Sequence, residues 1–204
     1  MWAESAEIGD LLGSKAPPHW AREALSRRGR IVPLDTLAGP GDHGPLAGLT
    51  RLVIAQPRPL SPSENVALDD WVRGGGRLLL IADPALTEDS AFAIGDPRRP
   101  QGTALLSPIL ARWGLELAFD DSQPFGETLH SAFGTRVPVN LAGQFRLTGK
   151  GACVLEAGGL AATCTIGKGR VVLLADAALL DQADPGGARR QALDALLETA
   201  FTRP

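Results

Sequence analysis

Short apolar runs alternate along the chain with stretches whose apolar residues recur every three or four positions, and the contrast is sharpest between Leu52 and Pro84. Leu52-Val53-Ile54-Ala55 and Leu78-Leu79-Leu80-Ile81 are short continuous runs that read as strands, the second lacking any polar alternation, as a strand buried on both sheet faces does. Between them Ala67, Leu68, Trp71 and Val72 form one helical stripe. Ser61 and Glu64 compose a capping box with Pro62 at the first helical position, and Gly74-Gly75-Gly76 stops the helix before the next strand. A helix with one apolar stripe has to lie on a sheet.

The same rhythm extends in both directions. Pro17-Pro18 introduces a short helix around His19 to Arg28, Gly29 ends it, and Arg30 to Leu34 is expected to be the first strand, followed by strands at Arg51 to Gln56 and Arg77 to Ala82. Pro84 to Thr103 is a long loop, its second half held irregular by Gly95-Asp96-Pro97-Arg98-Arg99-Pro100. Ser107 is placed to cap a helix that has Pro108 at its first position and Leu110 and Trp113 facing inward. Gly114 stops that helix ahead of a strand at Leu115 to Phe119, which continues the alternation. Asp120 to Thr135 reads as a surface excursion, and extended segments near Val137 to Leu147, Cys153 to Glu156 and Leu160 to Ile166 read as antiparallel additions. Gly167-Lys168-Gly169 turns into a last strong strand, Arg170 to Ala175, and a closing helix, Ala188 to Phe201, carries Leu193, Leu196, Leu197, Ala200 and Phe201 on one face. The pattern predicts an α/β fold: a three-layer open, mostly parallel sheet with added antiparallel strands toward the C-terminal half. One domain is expected over 1–204, with a lead-in and helix at 1–29, a core at 30–181 and a closing helix at 182–204.

Composition narrows the function classes more than it names one. With 204 residues, 44% hydrophobic, the chain can bury one sizeable core. A formal charge of −3, together with six Phe, four Trp and no Tyr, offers neither a basic surface nor many stacking platforms, so nucleic acid is not an expected partner. No apolar run approaches the ~20 residues of a membrane span, and the first residues lack a basic segment followed by an apolar one. Met1-Trp2-Ala3-Glu4 begins abruptly, so a targeting or anchoring segment is expected to lie outside this chain.

Cys153 and Cys164 flank a hairpin pattern with Gly158-Gly159 as a two-residue turn. In that register Ala157 pairs with Leu160, which places Cys153 opposite Cys164 on a hydrogen-bonded rung at a Cα separation of ~5.5 Å. A disulfide is geometrically allowed there. Two free core cysteines are the alternative.

In open parallel sheets ligands bind beyond the carboxyl ends of the strands, which here are followed by Asp35, Gln56, Asp83 and Asp176. These four polar side chains could bind a polar ligand or a divalent cation, or hold a catalytic water. Equally, they could cap turns and satisfy loop amides, the commonest duty of Asp after a strand. Arg98 and Arg99, with Arg58, could gather at the same rim as an anion site if the long loop folds over it, or stay solvated. His19, His43 and His130 are isolated from other metal-ligating residues, and no nucleophile elbow is present, so no metal site, cofactor or catalytic residue is expected. Gly74-Gly75-Gly76 follows a helix and precedes a strand, the reverse of a phosphate-binding loop.

The order L-S-P-x-E, helix, W-V-R-G-G-G-R-L-L-L-I-A-D-P resembles the class I glutamine-amidotransferase-like superfamily, a flavodoxin-like architecture, and within it the noncatalytic branch. That branch holds the extracytoplasmic domain of auxiliary subunits of uncharacterised ABC-type transport systems, including the gliding-motility type. Leu110 to Leu115 and Gly167 to Val172 are similar to its helix-to-strand and late-strand segments, so the likeness covers Arg30 to Asp181. Catalytic members carry a cysteine at the elbow that Ala82-Asp83-Pro84 occupies here, and a His-Glu pair after the late strand, where this chain has Asp176. The resemblance therefore implies a noncatalytic binding or protein-interaction domain, periplasmic or otherwise extracytoplasmic, whose partner is a protein of a membrane or transport complex or a small molecule. The alternatives are a cytoplasmic location and a hydrolase built on Asp83 and Asp176 with a divalent cation.

Overall fold

The computed structural model describes residues 19–39, 44–90, 92–93, 95–96, 99–149, 151–181 and 187–202. In chain order its elements are α1 (Trp20–Ser26), β1 (Arg51–Ala55), α2 (Pro62–Arg73), β2 (Arg77–Ile81), α3 (Ser107–Arg112) and β3 (Leu115–Ala118). There follow β4 (Thr128–Ala132), β5 (Thr135–Val139), β6 (Gln144–Leu147), β7 (Cys153–Glu156), β8 (Ala161–Ile166), β9 (Gly169–Leu174) and α4 (Ala188–Phe201). The central sheet has the order β1-β2-β9-β8-β7, with β1, β2 and β9 parallel and β8 and β7 antiparallel additions.

A buried apolar cluster lies on each face of this sheet. One joins Leu68 and Val72 of α2 and Ile109 and Leu110 of α3 to Leu78, Leu80, Val171 and Leu173. The other joins Ala21 and Ala24 of α1 and Leu193, Leu196, Leu197 and Ala200 of α4 to Leu79, Ile81, Val172 and Leu174. Alternate residues of β2 and β9 thus serve opposite layers, which is why both strands are unbroken apolar runs. The capping box forms: Ser61 Oγ accepts from Glu64 N (3.2 Å), and Glu64 Oε2 accepts from Ser61 N (2.9 Å). The turn after β8 slides beneath the end of α2. Gly167 has φ +60°, and a Cβ on Gly169 would sit 2.0 Å from Val72 O, so only glycine fits there.

Five expectations require correction, the fifth at the cysteine hairpin. Arg30 to Leu34 is not a strand: it passes β1 without a backbone–backbone hydrogen bond, and Pro33, which has no N–H, removes a donor from its middle. The strand at Leu115 leaves the central sheet and pairs with β6 as a separate ribbon, where Glu116 faces Arg146; a strand with a charge at its centre suits a periphery better than a doubly covered sheet. Part of the expected excursion at Asp120 to Thr135 forms the β4 strand of the β4–β5 hairpin, whose Val137 and Val139 belong to the same cluster as α4. Ser107 is the first helical residue and not the cap, which is Leu106.

The hairpin of β7 and β8 pairs Cys153 with Cys164, and a disulfide joins them. Its turn differs from the expectation. Ala157 to Gly159 make a 3-10 turn, lengthening the loop by two residues and reversing the rung parity. Thr165 N donates to Ala152 O (2.9 Å), so the hydrogen-bonded rung lies one step outside the cysteines. They occupy a non-hydrogen-bonded rung with a Cα separation of 4.0 Å.

Candidate functional site

Asp83 and Asp176 follow the adjacent parallel strands β2 and β9, and both are wholly buried. Every one of their four carboxylate oxygens accepts a backbone N–H. Asp83 Oδ1 accepts from Ala85 (2.7 Å) and Oδ2 from Ala177 (3.0 Å). Asp176 Oδ1 accepts from Ala178 (2.7 Å) and Oδ2 from Asn140 (2.8 Å). Asp83 therefore ties the loop leaving β2 to the loop leaving β9, and Asp176 ties that second loop to the end of β5. Burial pushes the Asp83 carboxyl up to about 6, against the pull of its two amide donors. Burial, reinforced by the charge of Asp83, pushes Asp176 up to about 8.

Gln56 lies beside them, buried at the end of β1 with φ +45°. Its Oε1 accepts from Asp83 N (2.9 Å), while its Nε2 donates to Asp83 O (3.0 Å) and to Gln101 O (2.7 Å). Three of the four expected rim residues thus form one internal splice of backbone and side chain, with no polar atom turned outward for a ligand. Among the described residues no group of three or more His, Cys, Asp or Glu is placed to hold a metal ion.

The remaining candidates go elsewhere. Arg98 lies outside the described residues, as does His43. Arg99 closes its own loop, donating to Phe92 O (2.6 Å), and so does not gather with Arg58. Arg58 donates to both carboxylate oxygens of buried Glu64 (2.7 and 2.9 Å) and to Asp35 O (3.2 Å). Asp35 itself is exposed, at the mouth of a groove. His19, buried at the start of α1, caps the helix by accepting from Ala21 N through Nδ1 (3.1 Å), and burial lowers its pKa. His130 is exposed on β4.

That groove is an open cleft among the described residues. It encloses about 690 Å³ between residues 28–37 and 48–55, running along the free edge of β1, a volume in the range of ligand-binding clefts. α1 and Phe201 form its floor and Leu60 and Glu64 part of its roof. Val32 on its outer wall is 46% exposed, high for a valine.

Two polar hubs carry no sequence motif. Glu64, beyond its capping role, accepts from Leu37 N (3.1 Å) and Thr36 Oγ1 (3.0 Å); the Arg58 guanidinium holds its carboxyl well below the usual range. Asp69 sits wholly buried on α2 among Arg73, Arg112 and Trp113 Nε1 (2.9 Å to Trp113), and these donors overcome the burial that would otherwise raise its pKa. An aspartate next to Leu68 on the stripe, with arginine four residues on, was the available signal for the second hub.

A family model described as an ABC-type uncharacterized transport system matches residues 16–123. No curated protein matches the chain. Among solved structures, the chain is similar to the exo-β-1,4-mannosidase Op5Man5 from Opitutaceae bacterium strain TAV5, with a TM-score of 0.51 and 16% identity over 80% of this chain and 28% of that one. It is also similar to Cytoplasmic Protein STM3548 from Salmonella typhimurium, with a TM-score of 0.49 and 13% identity over 89% of this chain and 86% of that one. A catalytic mutant of Gan42B, a GH42 β-galactosidase from G. stearothermophilus, gives a TM-score of 0.46 and 16% identity over 76% of this chain and 22% of that one. The chain spans little more than a quarter of the mannosidase, and at 16% identity that likeness is one of fold alone.

Proposed function

Because the chain belongs to the ABC-type uncharacterized transport system family, we propose that it is a noncatalytic binding or protein-interaction domain of such a system, engaging a partner subunit through the groove beside β1. The observation that carries this reading is the occupation of all four rim carboxylate oxygens by backbone amides. Where enzymes on open α/β sheets keep reactive groups turned toward a crevice, this chain has a sealed joint. A hydrolase built on Asp83 and Asp176 with a cation would need at least one of those oxygens facing a crevice, and both side chains are wholly buried.

Two further parts belong to the proposal. The occupation of the elbow by Ala82-Asp83-Pro84, without cysteine, supports a place in the noncatalytic branch of the glutamine-amidotransferase-like superfamily. The disulfide between Cys153 and Cys164 supports an extracytoplasmic location, since such bonds persist in oxidising compartments. No helix of the described residues is long and apolar enough to cross a membrane.

The test is site-specific photo-crosslinking in the native cell from a photoreactive residue replacing Val32, with products identified by mass spectrometry. The expected product is a subunit of an ABC-type transport system, unchanged in an Asp83→Asn background. Absence of any adduct from Val32, or turnover of a hydrolase substrate that Asp83→Asn abolishes without unfolding, would overturn the proposal.

A further inference from the structure

The free edge of β1 has a fixed parity. Arg77 N donates to Thr50 O (3.1 Å) and Gln56 N to Ile81 O (2.9 Å), so the even-numbered residues face β2. In a strand the N–H and C=O of one residue point the same way, so Arg51, Val53 and Ala55 present three N–H and three C=O groups to the groove. β1 is the terminal strand of its sheet, and among the described residues these six groups have no backbone partner. The opposite wall, residues 30–34, likewise spends no backbone group on β1.

Side chains give the groove its sign. Arg22, Arg30 and Arg51 line it with no carboxylate partner among the described residues, and Arg28 is paired with Asp194. Of the two carboxylates in the lining Glu64 is committed to Arg58, which leaves Asp35 at the mouth against three unpaired arginines. A chain of formal charge −3 thus places three unpaired arginines along the β1 edge. Apolar Leu52 and Ile54 serve one layer and Val53 and Ala55 the other, so the slot continues the two-faced environment of the sheet.

Resting on the reading of this groove as the binding surface, we infer that its occupant is an extended, acidic segment of a partner protein that adds to β1 as a further strand. Main-chain bonds to Arg51, Val53 and Ala55 supply the docking, and the flanking arginines select acidic side chains.

The experiment is residue-resolved amide exchange on the full chain, alone and with three probe peptides of eight residues. One alternates glutamate and valine, one alternates lysine and valine, and one is the glutamate peptide N-methylated on alternate amides. Alone, the amides of 51, 53 and 55 should exchange at least about 100-fold faster than those of 52 and 54. The glutamate peptide should slow the odd amides at least about 10-fold, and neither other peptide should. Val53→Pro, which removes an outward N–H and leaves every bond from β1 to β2 in place, and Arg51→Glu, which keeps the backbone intact, should each abolish the effect. Strand addition is overturned if the odd amides are already protected because 30–34 closes the slot. It is equally overturned if the glutamate peptide protects none of them, or if the lysine or N-methylated peptide acts as well. A transport-subunit adduct from Val32 alongside any of those results would leave the interaction role standing without strand addition, whereas loss of the adduct would remove the role itself.

Discussion

Asp176→Asn is the sharpest probe of the sealed rim. In the unfolded chain the Asp176 carboxyl ionises near its ordinary 3.8, whereas in the fold burial and the Asp83 charge hold its proton up to about 8. Between those values the folded state binds more protons than the unfolded one, so this group's contribution is fully present below 3.8 and is lost as pH rises through about 8. With 1.36 kcal/mol per pH unit of full proton difference, integration from about pH 5 to about pH 9 gives a loss of about 4 kcal/mol from Asp176 alone. Asparagine has no such titration. Its amide NH₂ replaces one acceptor, leaving Asn140 N–H or Ala178 N–H unsatisfied, a pH-independent cost of about 1–3 kcal/mol. Urea unfolding of both proteins at the two pH values isolates the difference, because the other titrating groups contribute to both. The wild type should lose about 4 kcal/mol more than the variant on going from the lower to the higher pH. If the two proteins keep a constant gap to within about 1 kcal/mol, Asp176 ionises in the fold as it does in water and the argument from burial is wrong.

On the acid side the sign reverses: Glu64 is held below its ordinary 4.5 by Arg58, so its contribution is present above that value and disappears as pH falls, and Glu64→Gln should flatten the acid limb of the same stability curve. Gly169→Ala should cost about 3 kcal/mol or more in thermal unfolding, because its methyl would meet the carbonyl oxygens of Val72 (2.0 Å) and Gly76 (2.5 Å), which are backbone atoms held in a helix end and a turn. Replacing Cys153 and Cys164 together by serine should lower stability by about 3 kcal/mol, the loop-closure value for a crosslink spanning 11 residues, and reductant should shift the wild type to match.

The sequence was legible where local and tertiary preferences agree. β1, α2 and β2 follow from the capping box, the stripe and the glycine stop, and α4 from its apolar face, because each satisfies its own backbone and buries one side. It was misleading where only a neighbour decides. Arg30 to Leu34 has the apolar character of a strand but no partner edge in register, and the short ribbons of β3 with β6 and β4 with β5 are set by long-range pairing that no periodicity announces. For the site, position was readable and role was not. The rule for strand ends led to Gln56, Asp83 and Asp176, but whether a carboxylate there faces solvent or its own loops depends on Ala177 and Asn140, one 94 and the other 36 residues away along the chain. The groove had no motif at all, since an unpaired strand edge is made of backbone.

The ties made by Asp83 and Asp176 also bear on how the fold is reached. Asp83 meets Ala177 only once β2 and β9 are paired, and Asp176 meets Asn140 only once the end of β5 has docked, so these bonds close loops of 94 and 36 residues. Their reach along the chain predicts latches set after assembly, outside the folding nucleus. Weakening them should leave the refolding limb of a chevron almost unmoved and steepen the population's escape from the native state, making the rim a determinant of lifetime more than of folding speed.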